Sequence, residues 1–138
     1  MASRDAARNL AQRGFKIVPV KRGAKYPPLI TDWPNRATTD EVTINQWWEQ
    51  YPDANIAIEG SGLLILDVDP RNGGNESLLA LDLDGPTPLP ITLRCRTPTG
   101  GEHQFYRLPE GHPGVPNSAG KLGPGLDVKS TRGYVVGA

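Results

Sequence analysis

Apolar residues along this chain come in short runs closed by glycine, proline or acidic residues, and their spacing changes from run to run. Ala7, Leu10 and Ala11 make one stripe at helical spacing, with Ser3 placed to cap that helix and Gly14 to end it. Residues 15–20 read as a strand and residues 22–28 as a loop. Thr38-Thr39-Asp40-Glu41 has the form of a capping box, Thr38 at the cap and Glu41 three residues on. The helix it opens carries Ile44, Trp47, Trp48 and Tyr51 at i, i+3, i+4 and i+7 and stops at Pro52. The tryptophans could stack on bases, but an aromatic stripe at this spacing fits a core better.

The second half reads as strands. Residues 55–59 form one, Gly60-Ser61-Gly62 turns the chain, and the next strand starts at Leu63, so the two are expected to pair as a hairpin. A short Leu-rich helix is expected at 75–83 and a Pro-rich loop at 85–90. Residues 91–96 and 102–107 make a hairpin about the turn 97–101, and Thr92, Arg94 and Arg96 share a face. Strands at 126–129 and 134–136 follow, separated by a turn. The order α-β-α-β-β-α-β-β-β-β predicts an α+β fold, an antiparallel sheet with helices packed on it. At 138 residues, with no internal repeat and no linker, one domain is expected.

The run Leu63-Leu64-Ile65-Leu66-Asp67-Val68-Asp69-Pro70 holds the candidate chemistry. Alternation along a strand puts Asp67 and Asp69 on one face and Leu64, Leu66 and Val68 on the other. Two carboxylates on one face repel unless a cation sits between them, and such a pair suits divalent metal ions that activate a hydroxyl and clamp a phosphate. The same Asp-x-Asp-Pro, followed by Asn and glycines, is also good turn chemistry at a strand end.

Other residues could complete such a site. His103 follows a glycine turn, with Phe105 and Arg107 on its face. It could donate to a phosphate oxygen or be an ordinary strand histidine. Asp127 and Lys129 share a strand face. A carboxylate inside a strand calls for a partner, either a metal shared with Asp67 and Asp69 or a cation, Lys129 or Arg132. Lys25 could contact phosphate, although a single loop lysine is usually solvated.

Charge divides the chain in three. Residues 1–36 carry eight Lys/Arg and two acids, residues 37–84 ten acids and one Arg, residues 85–138 six basic residues and three acids. Basic segments around an acidic middle fit a metal site between phosphate-binding surfaces, and solvated charged faces fit as well. Cys95 is the lone cysteine, which excludes a disulfide framework and a cysteine-based zinc site. No apolar segment nears the ~20 residues of a membrane span, and the first residues lack a signal-peptide core. A cytoplasmic protein with no membrane partner is expected.

Several motifs fail. An EF-hand would need other residues than Arg71, Asn72 and Leu78, and there is no P-loop, His-Glu-x-x-His or nucleophile elbow. Leu66-Asp67-Val68-Asp69 looks like the first motif of haloacid-dehalogenase-type phosphatases, whose first Asp is a nucleophile. That pattern continues with Gly and Thr, where Pro70 and Arg71 stand, and it belongs to a longer Rossmann-like domain.

Pieces spread along nearly the whole chain resemble the bifunctional primase/polymerase domain (Prim-Pol) of the archaeo-eukaryotic primase superfamily. They are Gly23-Ala24-Lys25-Tyr26-Pro27 and Trp33, Ala37-Thr38-Thr39-Asp40 with Ile44, Trp47 and Trp48, and Pro52-Asp53-Ala54-Asn55-Ile56-Ala57-Ile58. Leu66-Asp67-Val68-Asp69, Gly73-Gly74-Asn75-Glu76-Ser77-Leu78 and Thr97-Pro98-Thr99-Gly100-Gly101-Glu102-His103-Gln104-Phe105-Tyr106 follow. Leu122-Gly123-Pro124-Gly125-Leu126-Asp127-Val128-Lys129 and Gly133-Tyr134-Val135-Val136 complete the set.

The resemblance implies an RRM-like catalytic core, mainly antiparallel, joined to an N-terminal α/β module. It implies DNA primase/polymerase activity by two-metal nucleotidyl transfer, with Asp67, Asp69 and Asp127 as the acids that hold Mg2+ or Mn2+. It also implies that His103 contacts the phosphates of an incoming NTP or dNTP. Position and charge add Lys129, Ser130 and Arg132, and more weakly Lys25, as contacts to the triphosphate or template. The implied partners are a DNA template or primer-template and, in the full-length protein of a phage, plasmid or integrated element, a helicase domain. The family usually continues past the Tyr-Val-Val strand, so a domain truncated at its C-terminal end is expected. The rival from another class is a non-catalytic nucleotide- or DNA-binding module of a replication initiator.

Overall fold

A computed structural model describes residues 2–84, 89, 92–97 and 100–136. The described chain is α+β, with helices and antiparallel strands only, and divides into two compact units. One comprises the chain up to Glu59 together with the segment that starts at Arg132, and the other runs from Gly60 to Thr131.

In the first unit, α1 spans Ala2–Gln12, so Ser3 lies inside the helix rather than capping it. Ala7 and Ala11 are buried, as the stripe requires. β1 covers Ile17–Val20, a shorter strand than residues 15–20, and a single turn, α2 (Trp33–Arg36), follows. α3 spans Glu41–Gln50, and its cap is Asp40 rather than Thr38. The reason is a contact with β1: Thr38 is bridged to Ile17 by backbone hydrogen bonds in both directions, which hold it extended. The Asp40 carboxylate then accepts from the Thr43 hydroxyl at 2.7 Å and the Thr43 N–H at 3.0 Å.

Those two bonds, the hydroxyl's first, hold the Asp40 carboxyl below the usual carboxylate range. A lowered folded pKa gives stability that is present above the unfolded value and lost as pH falls through the folded one. Asp40→Ala should therefore unfold at lower urea than wild type at neutral pH. The gap between the two midpoints should narrow as the pH is taken down through the carboxylate range.

Ile44, Trp47 and Trp48 are all buried, so the aromatic stripe of α3 is core. β2 (Asn55–Glu59) is the centre of a three-stranded antiparallel sheet, with β1 on one side and β8 (Tyr134–Val136) on the other. Pro19 sits in β1, an edge strand, where a missing N–H is tolerated.

In the second unit, β3 (Leu63–Val68) is the middle of a five-stranded sheet in the order β4-β5-β3-β7-β6, every pair antiparallel. Here β4 is Leu93–Arg96, β5 Glu102–Arg107, β6 Ser118–Ala119 and β7 Leu126–Lys129. A 3-10 turn at Pro70–Asn72 leads into α4, Gly74–Asp84, which packs on β3 and β7.

The hairpin expected between residues 55–59 and the following strand does not form. β2 is paired on both edges by β1 and β8, and β3 on both edges by β5 and β7, so neither has an edge free for the other. The hairpin at 93–107 does form, with Leu93 opposite Phe105 and Arg96 opposite Glu102. Ile91, most of the 85–90 loop and Pro98-Thr99 of the turn lie outside the described residues. A strand with antiparallel neighbours on both sides does not match the parallel sheet of a dehalogenase-type phosphatase.

Candidate active site

The pairing of β3 decides which side chains meet. Asp67 lies opposite His103 on β5 and opposite Asp127 on β7. Directly opposed residues of an antiparallel pair project to the same face, with Cβ atoms about 5 Å apart. His103, Asp67 and Asp127 therefore stand in one row across three adjacent strands. Cys95 extends the row beyond His103, and Ala119 extends it beyond Asp127. Leu66, Val68, Leu126 and Val128 point to the other face and are buried. This is the alternation that the apolar run and the Leu126-Asp127-Val128-Lys129 strand call for.

The His103 Nε2 is 3.5 Å from the Asp67 Oδ1, with side chains 11% and 32% exposed. Phe105, two residues on, meets the imidazole edge-on at 6.3 Å between ring centres. Asp127 accepts from the Gly120 N–H at 3.1 Å through Oδ1. The row thus joins a half-buried carboxylate, a nearly buried imidazole and a second carboxylate steadied by a backbone amide.

Asp69 is placed differently. β3 ends at Val68, and the Asp69 carboxylate turns onto the following 3-10 turn. It accepts from the Arg71 N–H at 3.0 Å, the Arg71 Nε at 3.3 Å and the Asn72 Nδ2 at 2.8 Å. The Arg71 guanidinium is the main cause that holds this carboxyl below its ordinary range. Arg71 and Asn72 were not singled out in the sequence, yet Asp-Pro-Arg-Asn is a good side-chain-capped turn and carries the signal. Among the described residues, no group of three or more His, Cys, Asp or Glu is arranged to hold a metal ion.

Two glycines allow the backbone around this strand end to close up. A Cβ on Gly101 would lie 2.2 Å from the Val68 carbonyl oxygen, between the two aspartates. Gly125, at φ 75°, packs against Asp69, and a Cβ there would stand 2.6 Å from its carbonyl oxygen. The Asp69 N–H donates to the Gly125 carbonyl at 2.8 Å, which ties the start of β7 to the end of β3.

The remaining predicted contacts divide. Lys129 lies on the face of the row, opposite Ile65. Ser130 is fully buried; its hydroxyl donates to the Leu63 carbonyl and its N–H to the Asn117 Oδ1, so it serves the fold. Lys25 and Arg132 belong to the first unit. Arg132 is left-handed at φ 61°, and its N–H donates to the buried Glu59 carboxylate at 3.4 Å. On the opposite face of the five-stranded sheet, Asn75, Asp82, Arg94, Gln104 and Tyr106 are among the residues lining a cavity of about 320 Å3.

A hard divalent cation such as Mg2+ or Mn2+ takes oxygen ligands, and Asp67 and Asp127 offer them from opposed positions. That donor set fits such an ion. Asp69 would join it only by giving up Arg71 and Asn72.

No curated protein matches the chain. The family model for the bifunctional DNA primase/polymerase N-terminal domain (Prim-Pol) matches residues 7–138 and carries a primase/polymerase-type, nucleotidyltransferase function in DNA replication. Because that match spans nearly the whole sequence and includes the complete His103–Asp67–Asp127 row, the chain belongs to the bifunctional DNA primase/polymerase family.

Proposed function

We propose that the chain performs template-directed nucleotidyl transfer by a two-metal mechanism, extending a primer or starting one on a DNA template. The observation that carries this reading is the row of His103, Asp67 and Asp127 on three paired strands. Asp67 and Asp127 would be the metal acids, and Asp69 the third once its carboxylate gives up Arg71 and Asn72. Ions held there would supply Lewis acidity, lowering the pKa of a primer 3′-hydroxyl and offsetting charge on pyrophosphate. His103 donates from its ring to a phosphate oxygen of the incoming nucleotide, and Asp67 orients the ring from 3.5 Å. Lys129, on the same face, adds positive charge for the triphosphate or template. A helicase domain in the full-length protein would present the unwound template.

One observation favours the alternative, a nucleotide- or DNA-binding module without catalysis: the Asp69 carboxylate is already engaged by Arg71 and Asn72. Calorimetric titration of dATP and ATP into the protein, with Mn2+ and then with EDTA, separates the two. Nucleotide binding that requires the metal is the expected result. Binding indifferent to EDTA supports the binding module, and no binding under either condition overturns the proposed reaction.

A further inference from the structure

The loop that follows β1 concentrates three cations and an exposed aromatic ring. Lys21-Arg22-Gly23-Ala24-Lys25-Tyr26-Pro27 contains no acid. Tyr26 is 74% exposed, so its ring gives up the burial that normally makes an aromatic side chain useful to a fold.

The loop backbone, by contrast, is held on several sides. The Lys21 N–H donates to the Pro27 carbonyl at 3.0 Å and the Ala24 N–H to the Lys21 carbonyl at 3.1 Å. The Asn55 side chain donates to the Ala24 carbonyl at 3.0 Å. The Tyr134 hydroxyl donates to the Lys25 carbonyl at 2.6 Å, and Tyr134 is itself met edge-on by Trp33 at 4.9 Å. Beyond the loop, Val20 bridges Pro28. The backbone is therefore ordered in advance while the Lys21, Arg22, Lys25 and Tyr26 side chains stay in water.

The acid near the loop binds weakly. Arg22 reaches Asp53 at 3.6 Å, and both side chains are mostly exposed, 79% and 60%. An ion pair this open to water contributes little and yields readily to a phosphate.

A fixed backbone, an uncovered π-face and flanking cations are what a single strand of nucleic acid recognises. Bases stack on the ring and phosphates meet the cations, with little dependence on sequence. A duplex keeps its base faces covered and could use only the charges. We infer that the 21–27 loop is a contact site for single-stranded nucleic acid, with one base stacked on Tyr26 and the neighbouring phosphates on Lys21, Arg22 and Lys25. The inference deepens the proposed reaction and rests on it for the identity of the strand, the template.

Fluorescence anisotropy of a labelled oligothymidylate tests this on the chain as it stands. Tyr26→Ala should weaken binding roughly tenfold to a hundredfold, and Tyr26→Phe, which keeps the ring, should bind like wild type. Replacing Lys21, Arg22 and Lys25 together with alanine should flatten the dependence of log K on log salt by about 2. Equal affinity of Tyr26→Ala and wild type overturns the inference, as does a blunt duplex bound as tightly as the single strand, or no strand binding by wild type. The nucleotide titration fails or succeeds independently of these outcomes. Strand binding untouched by the substitutions sinks the loop site alone, and absent nucleotide binding sinks the proposed reaction alone.

Discussion

Asp67→Ala should reduce metal-dependent synthesis by about a thousandfold or more and leave the protein folded. The side chain is one-third exposed and stands on the polar face of β3, away from the buried Leu66 and Val68. Asp67 lies directly opposite Asp127, and like charges so placed on paired strands destabilise each other. Relief of that repulsion is set against loss of the His103 contact at 3.5 Å, so without divalent ions the variant should melt close to the wild-type temperature. Added Mn2+ should raise the wild-type transition and leave the variant's unchanged, because an ion that binds only the folded site stabilises it. Thermal scans of both proteins with and without Mn2+, beside a primer-extension assay, give both readouts. Undiminished synthesis by Asp67→Ala would end its assignment as a metal acid.

Trp48→Ala should cost about 3–5 kcal/mol of folding stability, the range for removing a buried large aromatic. The ring is 2% exposed, and its indole N–H donates to the Ala54 carbonyl at 3.3 Å. Truncation leaves both a cavity and an unpaired carbonyl. Against the ~5–15 kcal/mol of an ordinary domain, that is a large share. Urea unfolding followed by far-UV circular dichroism measures it. A loss below about 1 kcal/mol, with single-strand binding impaired instead, would return the tryptophans of α3 to a base-stacking role.

The α3 stripe shows what was legible in the sequence. Ile44, Trp47 and Trp48 repeat at helical spacing, and a regular repeat reports burial whatever the neighbours are. Single strands were legible too: the Asp67 strand as an apolar run closed by acidic and proline residues, the Asp127 strand as an apolar–polar alternation, and both fall where expected. Pairing was less legible. A short Gly60-Ser61-Gly62 turn suggests a hairpin, but which edges are free depends on strands far along the chain, and β8 and β7 took them. The cap of α3 went to Asp40 because Thr38 was claimed by Ile17, another contact that local sequence does not encode.

The candidate site divides along the same line. His103 and Asp127 were recognisable as residue types, and the pairing of β5 and β7 with β3 turns them into neighbours of Asp67. Asp69 had two readings, metal acid and turn residue. Here its carboxylate makes the turn with Arg71 and Asn72. The Tyr26 loop was visible as a basic stretch, as a piece of the family resemblance and, through Lys25, as a weak phosphate contact; that its backbone is tethered while its ring is uncovered required coordinates.

The central place of β3 has a consequence for the order in which this protein takes shape. Both strands that flank it lie later in the chain, so a nascent polypeptide leaving the ribosome exposes β3 with two open edges. It can pair first with β5, which sets His103 beside Asp67, and only afterwards with β7, which adds Asp127. Until then the growing chain carries an unpaired apolar strand, the kind of species that chaperones hold. The acidic pair therefore cannot be assembled until Asp127 at least has been made, well after the residues of the histidine–aspartate contact.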